Sequence, residues 1–434
     1  MIWIIYNLAF PFVLLLMLPY YLIRMCRRGG YRKGFAQRLG VYEGALWARL
    51  RERPRVWVHA VSVGETFVAV KFMEAWRRQE PDIAFVMSVN TSTAHAMAEK
   101  MLHPDDVLVY FPVDFPWVIR RALRAFQPRM LVLTECEFWP NLMRMAKRRG
   151  VPLLLMNGRL SDRSFRGYRR FRWLFAPVMR LLDGLCVQGR QDAERYLALG
   201  AGATRVTVTG SAKYDVALGD PGQLEKAREW LDAAGISEGD PVLLGGSTWA
   251  GEEEVLLDIL TQCRPACPSL RLVLVPRHAE RRDEVVAAIR RRGLTFVQRS
   301  LGGRAAPGER PDVLLVDTTG ELKHFYRGAT VIFVGKSLTQ HGGQNIIEPA
   351  VCGKPIVVGP NMENFPDVIR DFTQAQALIQ VADAAQLGRR IGDLLGDEAA
   401  RRAYGERAAG LVENNRGALS LTVARAIILA APAR

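Results

Sequence analysis

Val56-Trp57-Val58-His59-Ala60-Val61-Ser62-Val63-Gly64-Glu65 alternates apolar residues with others as far as Val63, the pattern of a buried or half-buried strand. Gly64 then permits a tight turn that sets Glu65 beyond the strand end. Phe67, Val70, Phe72, Met73 and Trp76 follow at roughly helical spacing, so Glu65 is expected at the start of a helix. In α/β folds this strand-to-helix junction is where ligand chemistry gathers. A carboxylate there serves either as a general base or as a plain helix-start residue that favours the dipole.

The remaining 424 positions supply the context for this 434-residue chain, which is long enough for two or three domains. Its 49% hydrophobic and 24% charged residues are ordinary for globular protein. Lys and Arg (59) exceed Asp and Glu (44) by 15, which points to an anionic partner: nucleic acid, a membrane surface or a phosphorylated substrate. Residues 2–23 carry no charge and are long enough to cross ~30 Å of hydrocarbon as a helix. Arg24, Arg27, Arg28, Arg32, Lys33 and Arg38 follow at once, and no Lys or Arg precedes the run. A removable signal peptide is therefore disfavoured, and the basic flank predicts that the rest of the chain stays in the cytoplasm. Pro11 and Pro19 leave open a kinked span or a segment that enters the bilayer without crossing it. The six cysteines (26, 136, 186, 263, 267, 352) form no Cys-x-x-Cys pair, so neither a disulfide framework nor a zinc site is indicated.

Short apolar runs near 83–89, 107–110, 130–133, 151–156, 184–187 and 206–208 alternate with helix-like segments, which predicts a mostly parallel sheet covered on both faces. Asn90 to Thr93 reads as a helix cap. Glu135 and Glu137 lie beside Phe138 and Trp139 at another strand end, either as carboxyls with raised pKa or as exposed helix-start residues ahead of Pro140. Arg159, Arg163, Arg166, Arg169, Arg170 and Arg172 interleave with Phe165, Tyr168, Phe171, Trp173 and Phe175. That mixture suits anionic lipid headgroups; RNA would use the same chemistry, and a solvated basic helix needs neither. In Thr209-Gly210-Ser211-Ala212-Lys213 the backbone can approach a ligand and Lys213 supplies a point charge, or the residues are plain linker.

Residues 215–240 read as a connection, after which the rhythm restarts. The run 242–244 leads to Gly245-Gly246-Ser247-Thr248-Trp249-Ala250-Gly251-Glu252, a small-residue loop able to hold phosphate. Later strand ends carry Pro276-Arg277-His278, Asp317-Thr318-Thr319-Gly320-Glu321, Gly335-Lys336-Ser337 and His341-Gly342-Gly343-Gln344-Asn345-Ile346-Ile347-Glu348. The series predicts nucleotide binding in a second α/β domain. No P-loop is present, which disfavours ordinary phosphoryl transfer, and no cluster of metal ligands is seen, so none is predicted. Residues 387–430 read as C-terminal helices, and 300–310 as an irregular Gly-rich stretch without assignment.

Val61 to Thr66, Glu135 to Asn141, Arg159 to Ser164, Thr209 to Lys213, Pro276 to Arg281, Gly320 to Leu322 and Gly342 to Pro349, in this order, resemble the 3-deoxy-D-manno-octulosonic acid (Kdo) transferases of lipopolysaccharide assembly over nearly the whole chain. The resemblance implies a GT-B glycosyltransferase with two Rossmann-like domains facing a central cleft and an N-terminal membrane-anchoring helix. Its expected divisions are 1–40 for the anchor, 41–214 for an acceptor domain, 215–240 for a linker, 241–395 for a CMP-Kdo domain and 396–434 for C-terminal helices. It implies inverting transfer of Kdo from CMP-Kdo to a tetra-acylated lipid A precursor at the inner face of the cytoplasmic membrane, with no metal and no other cofactor. Glu65 matches the family's general base; Glu135 and Lys213 match positions that assist the transition state. CMP contacts map to Pro276, Arg277, Thr319, Gly320, Glu321, Asn345, Ile346, Ile347 and Glu348. Acceptor and membrane contacts are expected at Ser62, Gly64, Arg159, Arg163 and Arg166. The family often has His where Trp249 stands and Met where Thr319 stands. Two other readings compete: a membrane-bound transferase of the same fold using a UDP-sugar, and a membrane-tethered RNA-binding protein.

Overall fold

The structure is a computed structural model and describes residues 2–28, 34–216 and 223–431; within these, only the backbone is described for 18–28, 216, 223, 224 and 367. Two compact units divide the described chain: the first takes the residues up to Val216 together with those from Arg416 onward, and the second the residues up to Asn415.

The first unit holds a seven-stranded sheet made of β1 (Arg55–Ala60), β2 (Phe85–Val89), β3 (Val107–Tyr110), β4 (Pro128–Thr134), β5 (Leu153–Gly158), β6 (Gly184–Val187) and β7 (Val206–Val208). Its order is β3-β2-β1-β4-β5-β6-β7 and every pairing is parallel. All six residues of β1 are buried, as expected of a central strand covered on both faces. Trp57 packs edge-to-face on Phe126 at 4.7 Å on one side of the sheet, and Val56, Val58 and Ala60 join Phe72 and Trp76 on the other. The strand stops at Ala60 and the helix Val63–Gln79 begins two residues before Glu65, its expected start, because the Ser62 hydroxyl caps it by accepting the Glu65 N–H at 3.2 Å. Gly64 therefore lies inside the first helical turn. Its φ is outside the left-handed region, and a Cβ there would meet only the Ser62 hydroxyl at 4.0 Å, so the turn expected of it is not made by this residue.

The second unit repeats the plan with β8 (Val242–Thr248), β9 (Arg271–Pro276), β10 (Phe296–Gln298), β11 (Val313–Leu315), β12 (Val331–Val334), β13 (Ile356–Val358) and β14 (Ile379–Gln380). They form a parallel sheet in the order β10-β11-β9-β8-β12-β13-β14. β8 runs four residues beyond its expected end and absorbs Gly245 and Gly246. A Cβ on Gly245 would sit 2.5 Å from Leu256 Cδ1, so this glycine lets a helix press on the sheet and does not open a loop.

The stretch expected simply as C-terminal helices divides between the units. The helix Glu398–Asn414 stays with the second, whereas Ala418–Ala430 returns to the first and buries Leu419, Val423 and Ala426 in its core. Asp215 secures the return: its carboxylate oxygens accept the Gly417 and Leu419 N–H groups, each at 2.7 Å, at the start of that helix.

The N-terminal helix spans Ile2–Arg28, but among the described residues no helix is long and apolar enough to cross a membrane. Of the predicted basic flank, Arg32 and Lys33 lie outside the described residues, as do the side chains of Arg24, Arg27 and Arg28. Five cysteines are free thiols; the side chain of Cys26 is outside the description.

Replacing Asp215 with Ala removes the cap of the returning helix, which is worth roughly 1–2 kcal/mol. Amide exchange across 418–430 should then quicken by about tenfold while strands β8 to β12 are unaffected.

Candidate active site

In open parallel sheets ligands gather outside the carboxyl ends of the strands, where the strand order reverses. In the first unit that point lies between β1 and β4. Glu65 follows β1 and Glu135 follows β4, so the topology alone puts two carboxylates on either side of it.

Glu65 is 9% exposed. Its Oε2 accepts the Val61 N–H at 2.9 Å and the Thr134 hydroxyl at 2.8 Å, and Thr134 Oγ1 also lies 2.9 Å from the His59 carbonyl. Among the described residues Oε1 accepts no hydrogen bond. One oxygen is thus held in place and the other is left to take a proton, which is the arrangement a general base requires.

Glu135 has φ 51°, a left-handed conformation rare for a residue with a side chain. It is held by its N–H to the Met156 carbonyl at 2.9 Å and by the Tyr196 hydroxyl, which donates to the Glu135 carbonyl at 3.3 Å. Burial raises the pKa of its carboxyl; Lys213 draws it down, Glu65 adds to the rise, and Arg159 opposes it. Lys213, Glu65 and Arg159 therefore each sit within electrostatic reach of Glu135, all in a single unit. Asn157, also left-handed at φ 53°, ties the group together by accepting the Ala212 N–H at 3.0 Å beside Lys213 and reaching Glu135 Oε1 at 3.4 Å. Glu137 is pushed up from 4.5 to about 7 by burial first and by the charge of Glu65 next. Of the two readings open for Glu135 and Glu137 in the sequence, raised pKa is the one the structure supports.

Ser62 is the helix cap beside Glu65, and Gly64 adds open space there. Arg163 and Arg166 lie elsewhere, on the exposed side of the helix Asp162–Arg170, whose Phe165 and Tyr168 pack inward while Phe171 and Trp173 are about half exposed.

In the second unit a pocket of about 200 Å³ is lined by Ser247, Pro276, Arg277, Thr319, Gly320, Lys323 and Glu348 among others. Five of the residues expected at a nucleotide are thus gathered there. Glu321 is instead engaged by Arg299 at 3.1 Å and by the Thr318 hydroxyl. Ile346 and Ile347 are buried, and Asn345 accepts the Ile347 N–H at 3.0 Å, so this trio shapes the loop without lining the pocket. Ser247 belongs to the small-residue loop that the sequence marks as able to hold phosphate, whereas Lys323 escapes sequence reasoning because it lies beyond the recognisable turn at Asp317 to Glu321.

At two of the strand ends expected at a nucleotide, the protein's own carboxylates engage the donors present. Glu252, 0% exposed, accepts the N–H groups of Trp249, Lys336, Ser337 and Leu338 at 2.8 to 3.0 Å, so its carboxylate occupies the amide nest that Gly335-Lys336-Ser337 would offer an anion. Glu253 accepts the Thr248 hydroxyl at 2.8 Å and pairs with Arg281 at 2.7 Å, which makes Arg281 structural. Trp249 lies under the Lys336 ammonium at 4.8 Å and edge-on to His278 at 5.0 Å. Among the described residues no group of three or more His, Cys, Asp or Glu side chains is placed to hold a metal ion.

Residues 33–216 match the family model described as 3-deoxy-D-manno-octulosonic-acid transferase, and 310–410 the model described as glycosyl transferases group 1. The chain is 36% identical over 377 residues to a 3-deoxy-D-manno-octulosonic acid transferase of Bordetella pertussis, covering 85% of this chain and 86% of the relative. It is 29% identical over 391 residues to that of Haemophilus influenzae, covering 90% of each. Among solved structures, UDP-GlcNAc 2-epimerase from Neisseria meningitidis superposes with TM-score 0.55 at 14% identity, over 86% of this chain and 98% of that one. A glycosyltransferase from Rickettsia africae gives 0.53 at 13% identity, over 87% and 98%. These two likenesses concern the fold alone, a GT-B-like pair of parallel-sheet α/β domains.

The raised pKa of Glu137 has a consequence for stability. Between its ordinary range and about 7 the folded state keeps a proton that the unfolded chain has released, so stability should fall as pH rises from 4.5 to 7. Glu137→Gln, which cannot ionise, should reduce that fall, read as amide exchange in β1 and β4 at pH 5 and pH 7.5. An undiminished pH dependence would contradict the assignment.

Proposed function

The chain belongs to the 3-deoxy-D-manno-octulosonic acid transferases, glycosyltransferases of lipopolysaccharide biosynthesis, and on that footing we propose that it transfers Kdo from CMP-Kdo to a lipid A precursor, lipid IVA, with inversion and release of CMP. The observation that carries this reading is the state of Glu65, a carboxylate with one oxygen fixed by Val61 and Thr134 and the other unengaged among the described residues.

Inversion needs one base that removes the proton of the acceptor hydroxyl while the nucleotide departs from the opposite face of the sugar. Glu65 Oε1 takes that proton as the hydroxyl oxygen forms its bond to the anomeric carbon, and the bond from that carbon to the CMP phosphate oxygen breaks. Lys213, whose charge acts on Glu135 more strongly than that of Arg159, offsets negative charge there, and Glu135, with its raised pKa, is a hydrogen-bond partner for the sugar acid. CMP departs as a phosphate monoester anion, for which Arg277 and Lys323 line the pocket of the second unit. Glu348 lines the same pocket and is a carboxylate suited to ribose hydroxyls.

The setting is the inner face of the cytoplasmic membrane. Ile4, Leu8, Phe12, Leu15 and Leu16 of the N-terminal helix are each more than 60% exposed, which supports attachment to a bilayer by an apolar face. The arginines of Asp162–Arg170 with the half-exposed Phe171 and Trp173 suit the phosphates of the acceptor at the lipid boundary. Anchoring by this face does not require a spanning helix.

Two outcomes test the reading. Glu65→Gln should lower transfer by at least about 100-fold, the contribution of a positioned base, with CMP affinity unchanged. Wild-type rates in this variant would remove Glu65 from the mechanism. Lys323→Gln should weaken CMP binding by about tenfold, as expected for loss of one charge-assisted contact, and equal affinity by calorimetry would exclude the contact.

A further inference from the structure

The N-terminal helix Ile2–Arg28 has a second face. Trp3, Tyr6, Asn7 and Phe10 recur at the spacing of one helical stripe and dock on the first unit. The Tyr6 hydroxyl donates to Asp114 Oδ2 at 2.9 Å. Asn7 and Asn141 exchange amide hydrogen bonds, Asn141 Nδ2 to Asn7 Oδ1 at 2.8 Å and Asn7 Nδ2 to Asn141 Oδ1 at 3.2 Å. Arg144 lies over the Trp3 ring at 4.8 Å, and Phe10 meets Phe115 edge-on at 5.4 Å. An anchor alone needs an apolar surface, and polar side chains on it weaken partition into lipid. This helix therefore carries polar groups for a different purpose.

Their partners lead to the acidic group. Asp114 is 0% exposed, and besides Tyr6 it accepts the Asn141 N–H at 3.0 Å and the Leu142 N–H at 2.8 Å, while its carbonyl takes Asn141 Nδ2 at 2.6 Å. Asn141 and Leu142 form the first turn of the helix Pro140–Lys147, which starts directly after Trp139. Residues 135–139, which carry Glu135 and Glu137, are thus a short bridge with two abutments. One is the Glu135 N–H on Met156, and the other is the helix start on Asp114. Burial pushes Asp114 up to about 7, against the pull of its three donors, so removing one donor weakens the hold of this carboxylate on Asn141 and Leu142.

We propose that Tyr6 and Asn7 are positioning residues for the transfer reaction: through Asp114 and Asn141 they fix the bridge that carries Glu135 and Glu137, so that seating of the membrane-facing helix sets the geometry of the acceptor-side carboxylates. The inference rests on the functional reading above. It gives the two faces of one helix two tasks, with the apolar face meeting lipid and the polar face holding the reaction site in order.

The test uses the full chain in detergent micelles with acceptor dispersed in the same micelles. Tyr6→Phe, which keeps the ring and removes only the hydroxyl, and Asn7→Ala should each lower kcat at saturating acceptor by about tenfold, with little change in KM and none in CMP affinity. A helix that only anchors would raise KM and leave kcat intact, and that result would overturn the proposal. Amide exchange at Asn141 and Leu142 gives a readout independent of turnover: both should exchange faster in Tyr6→Phe, and unchanged protection would equally overturn it. If the wild type transferred nothing, the functional reading would fall while the exchange experiment still decided whether Tyr6 holds the bridge.

Discussion

The hydrogen bond from Thr134 to Glu65 is the constraint on which the site depends. It joins the carboxyl end of β4 to the helix that follows β1, across the point where the strand order of the first sheet reverses. A parallel sheet fixes β1 beside β4 in register, from Val56 opposite Met130 to His59 opposite Leu133, and so brings Thr134 to the place where Glu65 begins its helix. The Ser62 cap starts that helix three residues after the strand, and the Val61 N–H meets the same carboxylate oxygen. A side chain with free rotation in water would lose conformational entropy at every turnover to adopt one pose; here folding has already restricted it.

The second unit shows the same economy applied in the opposite sense. Several of its strand ends carry small residues and backbone amides that an anion would find attractive, yet Glu252 fills the nest at 335–338 with a carboxylate of the protein. Glu253 and Arg281 close the neighbouring loop by pairing with each other. The pocket bounded by β8, β9 and the turn at Thr318 to Gly320 is open, and there Arg277 and Lys323 provide charge. Internal carboxylates thereby take up donors that several of these similar loops would otherwise offer an anion.

Much of this was legible in the sequence because it follows from period and position. The strand ending near Glu65, the acidic pair at 135 and 137, and the polar turns after β9 and β11 are marked by alternation and by Gly, and the residues sit where the α/β rhythm puts them. What escaped depends on contacts between distant residues. Gly245 looks the same in a sequence whether it opens a loop or admits Leu256 against the sheet. Glu252 looks like a helix-start acid until four amides converge on it. The return of Ala418–Ala430 to the first unit requires Asp215 to be seen beside Gly417, some 200 residues away. The N-terminal run was read for hydropathy, which registers Tyr6 and Asn7 only as weak interruptions and does not reveal that their partners are Asp114 and Asn141.

Central to this account is a chemical event, the formation of a bond between Kdo and a lipid acceptor with inversion at the anomeric carbon. The most direct measurement is to incubate the wild-type chain with CMP-Kdo generated in place and a lipid A precursor in micelles, and to determine the product by mass spectrometry and its anomeric configuration by NMR. The account requires a gain of one or more Kdo units on the acceptor, in the configuration opposite to that of the donor, with CMP released in equal number. An acceptor of unchanged mass, or a product that keeps the donor's configuration, would contradict it.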